Sequence, residues 1–192
     1  LHLGGKHNFW RIILNVIKGK LDGVLIIEPK VFGDSRGFFM ESYNAAKFAE
    51  IDIGLNFVQD NHSRSTKGVV RGLHYQINPG QDKLVRVIRG EVYDVVVDVR
   101  RYSSTFGQWE GFSLSEENKR QVFVPKGFAH GFCVVSDVAE FVYKCSEYYS
   151  PEDERGIAWN DPEIGIDWPA ENPIMSDRDL QLPLLKDADQ DF

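Results

Sequence analysis

Residues 83–100 read KLVRVIRGEVYDVVVDVR. The run divides at Arg89-Gly90-Glu91, and both halves are rich in the β-branched residues that suit a pleated strand. In the second half Tyr93, Val95, Val97 and Val99 fall on one face, while Asp94 and Asp98 fall on the other. That period of two predicts a half-buried strand, apolar on the side that meets a core. Two strands meeting at a glycine set the pattern for the rest of the chain.

Outward from this stretch the same signal recurs. On the N-terminal side lie GVLIIEP (23–29), RGFFMESY (36–43), NFVQDNHS (56–63) and VVRGLHYQI (69–77). On the C-terminal side follow GQWEGFSL, RQVFVP, GFCVVS and AEFVYKCSEY (139–148). The clear helical candidate is NAAKFAEID (44–52), with Asn44 as its cap. Many short strands separated by Gly, Pro, Asp and Asn turns predict an all-β barrel or double-sheet jelly roll with a few short helices. The last forty residues are rich in Pro, Asp and Trp and weakly periodic. They read as an irregular segment packed on the barrel, anchored by Trp159 and Trp168 and able to bring polar side chains to its mouth.

The chain has 192 residues, of which 42% are hydrophobic and 27% charged, a balance that supports a substantial core and one domain over residues 16–192. Residues 1–15 do not begin with Met and read as an expression-derived or upstream extension. No stretch reaches transmembrane length, so no membrane partner is expected. A net charge of −7 argues against a broad nucleic-acid surface, though a local Arg and Lys cluster can still hold a small anion. The two cysteines, Cys133 and Cys145, lie in apolar strand-like runs and are too few for a disulfide framework or zinc knuckle. Buried free thiols and a cytoplasmic location follow as expectations.

Of the five histidines, His2 and His7 lie in the extension, and His62, His74 and His130 in strand-like surroundings. PKGFAH (125–130) fits P-x-G-x-x-H, which resembles the second motif of the cupin superfamily. The earlier cupin His-x-His and Glu are not matched: His74 stands alone, and positions 79 and 81 are Pro and Gln. Two imidazoles are a poor metal set, so no metal and no cofactor are expected. What remains is a histidine able to act as a general base, because imidazole titrates near neutral pH. A carboxylate on its other ring nitrogen would orient it, and the Asp-rich tail offers several candidates.

The order of motifs resembles the dTDP-4-dehydrorhamnose 3,5-epimerase family. The matching stretches are GDSRGFFMESY (33–43), FVQDNHSRS (57–65), GVVRGLHYQ (68–76), residues 83–100, VPKGFAHGF (124–132), YKCSEYYSPEDERGIAWNDPEIGIDWP (143–169) and PIMSDRDL (173–180). The resemblance implies a cupin-type jelly roll, a dTDP-linked 4-keto-6-deoxy sugar as substrate, and a homodimer formed through N-terminal strands. It implies epimerisation at C3 and C5, both α to the C4 ketone, on the way to rhamnose. His74 would be the base and Asp179 its orienting partner. Lys83 would stabilise the enolate, and Tyr143 would donate a proton to the opposite face. Arg36 and Arg71 would contact diphosphate or sugar. Glu41, Gln59, Asn61, His130, Glu154 and Arg178 would line the site, and Tyr149 would stack on thymine. Arg178 stands where the family often has Lys, which keeps the charge but exchanges a point charge for a planar fork. Sibling readings are an epimerase acting at one carbon only, a metal-dependent cupin oxygenase or isomerase, and a sugar-binding cupin without turnover.

RGLHYQ (71–76) poses a geometric problem. Residues three apart on a regular strand point to opposite faces, so Arg71 and His74 should not share a site. Gly72 between them predicts a bulge that turns both side chains toward the barrel interior.

Overall fold

The computed structural model describes residues 14–189. The predicted extension therefore lies almost wholly outside the described residues, and Asn15 already opens the first strand.

The chain begins with β1 (Asn15–Lys18) and β2 (Leu25–Glu28), then a hairpin of β3 (Val31–Asp34) and β4 (Gly37–Met40). Helix α1 (Ala45–Ala49) follows, shorter than predicted, with the Asn44 side chain accepting from the backbone of Ala46 and Lys47. Then come β5 (Gln59–Thr66), β6 (Val70–Gln76), β7 (Lys83–Arg89), β8 (Glu91–Asp98) and β9 (Trp109–Ser115). The series ends with β10 (Gln121–Val124), β11 (Phe128–Val134), β12 (Val138–Cys145), β13 (Glu154–Gly156) and the short helix α2 (Asp177–Leu180).

These strands form a double-sheet jelly roll. One sheet has the order β1-β2-β10-β7-β12-β5, and the other β13-β6-β11-β8-β9. β7 and β8, adjacent in sequence, belong to different sheets. Gly90 makes the crossing at φ +73, and a Cβ there would lie 2.0 Å from the Val138 carbonyl oxygen.

The barrel interior is filled from both sheets. Val85, Val87, Val122, Val124 and Phe141 meet Val92, Val96, Phe112, Leu114, Phe128 and Phe132. Burying each such side chain is worth roughly 1.5–3 kcal/mol, so this layer dominates the cohesion of the sandwich. The outer face of the second sheet is covered as well. Leu73, Tyr75, Val95, Val97, Val99 and Ala129 pack beneath Ile157, Ile164, Leu185 and Ala188 of the C-terminal segment. Trp168 joins that cluster and donates Nε1–H to the Trp159 carbonyl at 2.8 Å.

This covering corrects the reading of β8. The strand is not half-buried: Val95 and Val97 face the C-terminal segment, and Asp94 and Asp98 are buried on the other side. Asp98 is satisfied by Arg100, Ser103 and Thr105. Asp94 is not fully satisfied.

Inward-facing rows determine where the polar end lies. On β7 the apolar core residues Val85 and Val87 share the inward face with Lys83. The register places Gln59, Cys145 and Lys83 in one row across β5, β12 and β7. Asn61, Tyr143 and Val85 form the next row. The barrel is therefore apolar at one end and polar at the other.

Candidate active site

The polar end holds a cavity of about 280 Å³. Gln59, Asn61, His74, Lys83, Tyr143, Tyr149 and Glu154 line it, all of them anticipated from sequence. Tyr75, Gln76, Gln81 and Cys145 line it too. Cys145 is a buried free thiol as expected, and its Sγ accepts from Asn61 Nδ2 at 3.7 Å. Its place as the strand neighbour of Lys83 was the signal that could have brought it forward.

β6 reaches this end through an irregularity. His74 pairs with His130 and Arg71 with Phe132, so two residues, Gly72 and Leu73, stand opposite Gly131 alone. The extra residue returns Arg71 to the side of His74, as the glycine predicted. Arg71 is exposed and donates Nε–H to Ser65 Oγ at 3.0 Å. Gly72 has φ +109, and a Cβ on it would meet the His130 carbonyl oxygen at 2.7 Å.

His74 Nε2 lies 2.7 Å from Asp179 Oδ1. Asp179 is carried by α2, whose Ser176 cap accepts from the Asp179 backbone N–H at 3.1 Å. Asp179 Oδ2 accepts from the Gly72 backbone N–H at 3.3 Å. Burial opposes ionisation of Asp179, but these donors, led by His74, hold its carboxyl below the usual aspartate value. An Nε2–H donated to a carboxylate leaves Nδ1 as the basic nitrogen of the ring. The structure thus selects one aspartate from the many in the tail.

Tyr143 stands across the cavity from His74, because β12 and β6 belong to opposite sheets. Burial, with Cys145 and Glu154 adding to it, pushes its phenol up to about 12, so it carries its proton at neutral pH. Lys83 has no hydrogen-bond or ion-pair partner among the described residues. Burial pulls its ammonium below the usual lysine value, against the opposing influence of Cys145, Glu154 and Asp94.

At the rim, Glu154 Oε2 accepts from Tyr149 Oη and from Arg178 Nη2, each at 2.5 Å. Burial works against ionisation of Glu154, yet these two donors keep its carboxyl below the ordinary glutamate value. The Arg178 fork thus keeps its cation at the rim where a Lys was the family expectation.

His130 is buried beside the site, 2.8 Å from Asp94 Oδ1. Arg71, His130, Arg178 and Asp179 adjoin the cavity through Tyr143, His74 and Glu154 without lining it, and two further predicted residues lie elsewhere in the chain. Arg36 sits at the tip of the β3–β4 hairpin, forked onto Asp34. Glu41 bonds Lys47 and Asn44 beside α1. His62 is exposed on the outer face of β5, paired with Glu140, in keeping with strand alternation. Among the described residues no three His, Cys, Asp or Glu side chains converge on a metal-sized point, and no helix is long and apolar enough to cross a membrane.

Residues 18–187, which carry His74, Lys83, Tyr143 and Asp179, match a family profile described as dTDP-4-dehydrorhamnose 3,5-epimerase. The chain belongs to that family. It is 60% identical to the dTDP-4-dehydrorhamnose 3,5-epimerase of Shigella flexneri, over 92% of this chain and 98% of the relative. The crystal structure of the dTDP-6-deoxy-D-glucose-3,5-epimerase of Legionella pneumophila Philadelphia 1, in complex with dTDP-4-keto-L-rhamnose, superimposes with a TM-score of 0.89. It is 54% identical and covers 92% of this chain and 95% of its own. A dTDP-4-dehydrorhamnose 3-epimerase of Streptomyces niveus is 44% identical over 88% of this chain and 82% of the relative. The family thus includes enzymes named for one carbon as well as for two.

Proposed function

We propose that this protein epimerises C3 and C5 of dTDP-4-dehydro-6-deoxy-D-glucose, giving dTDP-4-dehydro-L-rhamnose. The observation that carries the reading is the placement of His74 and Tyr143 on opposite walls of one cavity with Lys83 beside them. Inversion requires removal of a proton from one face and delivery to the other, and two facing sheets supply that geometry. His74 Nδ1 takes the proton from the carbon α to the ketone. The C–H electron pair moves onto the C4 oxygen, and Lys83 holds the enolate charge. As the enolate collapses, Tyr143 delivers its proton to the opposite face. Solvent then removes the proton from His74 and returns one to Tyr143, and the sequence repeats at the second carbon. Asp179 keeps the imidazole oriented and stabilises it when protonated.

Arg71 and Arg178 supply cations at the mouth for the diphosphate, with Gln59, Asn61, His130 and Glu154 around the sugar nucleotide. Tyr149 offers its ring to thymine. Arg36 and Glu41 enter the site from a second copy in a homodimer. Supporting this is the hairpin that carries Arg36, which exposes Phe38 and Phe39 at 61% and 69%.

The test is deuterium wash-in from D₂O, with and without chelator, followed by NMR. Exchange at C3 and C5 with inversion at both, unaffected by chelator, is expected. Exchange at C3 alone would assign the protein to the single-carbon branch of the family. Loss of activity in chelator would favour a metal-dependent cupin.

A further inference from the structure

The edge of the second sheet is β13, a strand of three residues paired with β6. So short a ladder holds few hydrogen bonds and opens easily unless something else secures it. Yet β13 carries Glu154 into the cavity. The segment that follows α2 supplies what the ladder lacks.

That segment is stitched to β13 at both ends. At its start Arg178 of α2 donates Nη2–H to Glu154 Oε2 at 2.5 Å. At its end Asp189 Oδ2 accepts from Arg155 Nε–H at 3.1 Å. Glu154 and Arg155 are consecutive on a strand, so they point to opposite faces. The chain between Arg178 and Asp189 therefore passes around the sheet edge, from the cavity side to the outer side. On the way the Pro183 carbonyl accepts from the Ala158 N–H at 2.7 Å. Leu182 packs so close to Gly156 that a Cβ there would meet its methyl carbons at 2.8 Å. Leu185 and Ala188 are buried in the outer cluster.

Asp189 closes this strap with two contacts. Besides its carboxylate on Arg155, its backbone carbonyl accepts from Tyr75 Oη–H at 2.5 Å. Tyr75 and Arg155 are cross-strand partners in the ladder. One residue thus grips both members of a single β6–β13 pair on the outer face. The neighbours of that pair, Glu154, Gln76 and His74, line the cavity on the other face. The Asp189 and Arg155 side chains are 45% and 32% exposed, so their charges alone stabilise the contact weakly. The grip comes from the two contacts acting on one pair.

We propose that Asp189 is a positioning residue. By clamping the Tyr75–Arg155 pair from outside, it holds β13 in register and keeps Glu154 and Arg178 in place at the rim. That Glu154 and Arg178 serve a sugar nucleotide rests on the function proposed above, whereas the clamp does not.

The experiment uses the full-length protein and two readouts: hydrogen–deuterium exchange over residues 153–158 by mass spectrometry, and calorimetric titration with dTDP. Asp189→Ala removes the carboxylate, and Asp189→Ala with Tyr75→Phe removes both contacts. Exchange over 153–158 should rise about fivefold in Asp189→Ala, the size expected of a half-exposed ion pair, and further in the double variant. Affinity for dTDP should fall in step. Asp189→Asn keeps an acceptor for Arg155 and should recover most of both losses. Unchanged exchange over 153–158 overturns the proposal. Faster exchange with unchanged dTDP affinity reduces the strap to a cover for the sheet edge and overturns the positioning role. If the double variant does not fold, Asp189→Ala decides by the same two readouts. A parent protein that does not bind dTDP overturns the nucleotide reading instead, and exchange still decides the clamp.

Discussion

Two histidines face each other across β6 and β11, and each holds an aspartate, yet the pairs are built for different tasks. The His74 side chain is 29% exposed to the cavity, and its partner Asp179 is brought in by a separate helix. The His130 side chain is 8% exposed, and its partner Asp94 sits on the adjacent strand of the same sheet. Asp179 receives donors on both oxygens and ionises easily. Asp94 receives one donor in full burial, and its pKa is raised, with desolvation the leading cause. Identical residue types thus titrate in opposite directions. Access to the cavity and full satisfaction of the carboxylate distinguish the pair proposed as base and orienter from the buried one.

Replacing each histidine separates the two most sharply. His74→Gln should lower kcat by about 10³-fold or more and abolish deuterium exchange, within the usual reach of general acid–base catalysis. His130→Gln should cost roughly tenfold, mainly in KM, as expected for a binding contact. Equal losses in steady-state kinetics would break the distinction between the pairs. Asp179→Asn comes next, at about 10²-fold in kcat, because the imidazole keeps its acceptor but loses the charge that stabilises its protonated form.

Gly72 joins the two pairs, donating to Asp179 and lying against the His130 carbonyl. Gly72→Ala introduces both a forbidden φ and a Cβ collision, at a cost of about 2–3 kcal/mol. For a chain of this size that is a fall in Tm of roughly 4–12 °C by calorimetry. An unchanged Tm would mean the bulge is not the hinge on which both pairs depend.

The smallest effect concerns acid stability. The folded-state pKa of Asp179 is lowered, so its contribution is complete above the unfolded aspartate value and is lost as pH falls through the folded one. Asp94 has the opposite sign: its raised pKa means stability declines as pH rises from the unfolded value to the folded one. Between neutral pH and pH 3, Asp179→Asn should therefore flatten the fall in Tm, whereas Asp94→Asn should steepen it, by about a few degrees in each case. Parallel shifts in the two variants would contradict the assigned directions.

Much of the site was legible because β alternation is local. His74, Lys83, Tyr143, Gln59 and Asn61 could be placed on strands from their spacing, and Gly72 announced the distortion that brings Arg71 to the same side as His74. Motif resemblance supplied the roles. Asp179 could not be singled out by spacing, since 105 residues separate it from His74 and the tail offers many carboxylates. Asp94 was assigned to a polar face because β8 alternates, and nothing local reveals that the C-terminal segment buries the other face. Arg36 and Glu41 were attached to the site by motif, yet the hairpin and α1 hold them elsewhere in the single chain.

The sequence by itself determined the strand-rich class and the jelly roll, and it singled out His74 as the candidate base. These depend on residue periodicity and on motifs read along a few residues. Only the tertiary structure decided which aspartate bonds which histidine, that His74 and Tyr143 occupy opposite walls, and that β8 is buried on both faces. Such outcomes depend on which strands pair and what covers each sheet. They are set by contacts between segments far apart in the chain, such as the 105 residues between His74 and Asp179, for which local spacing carries no signal.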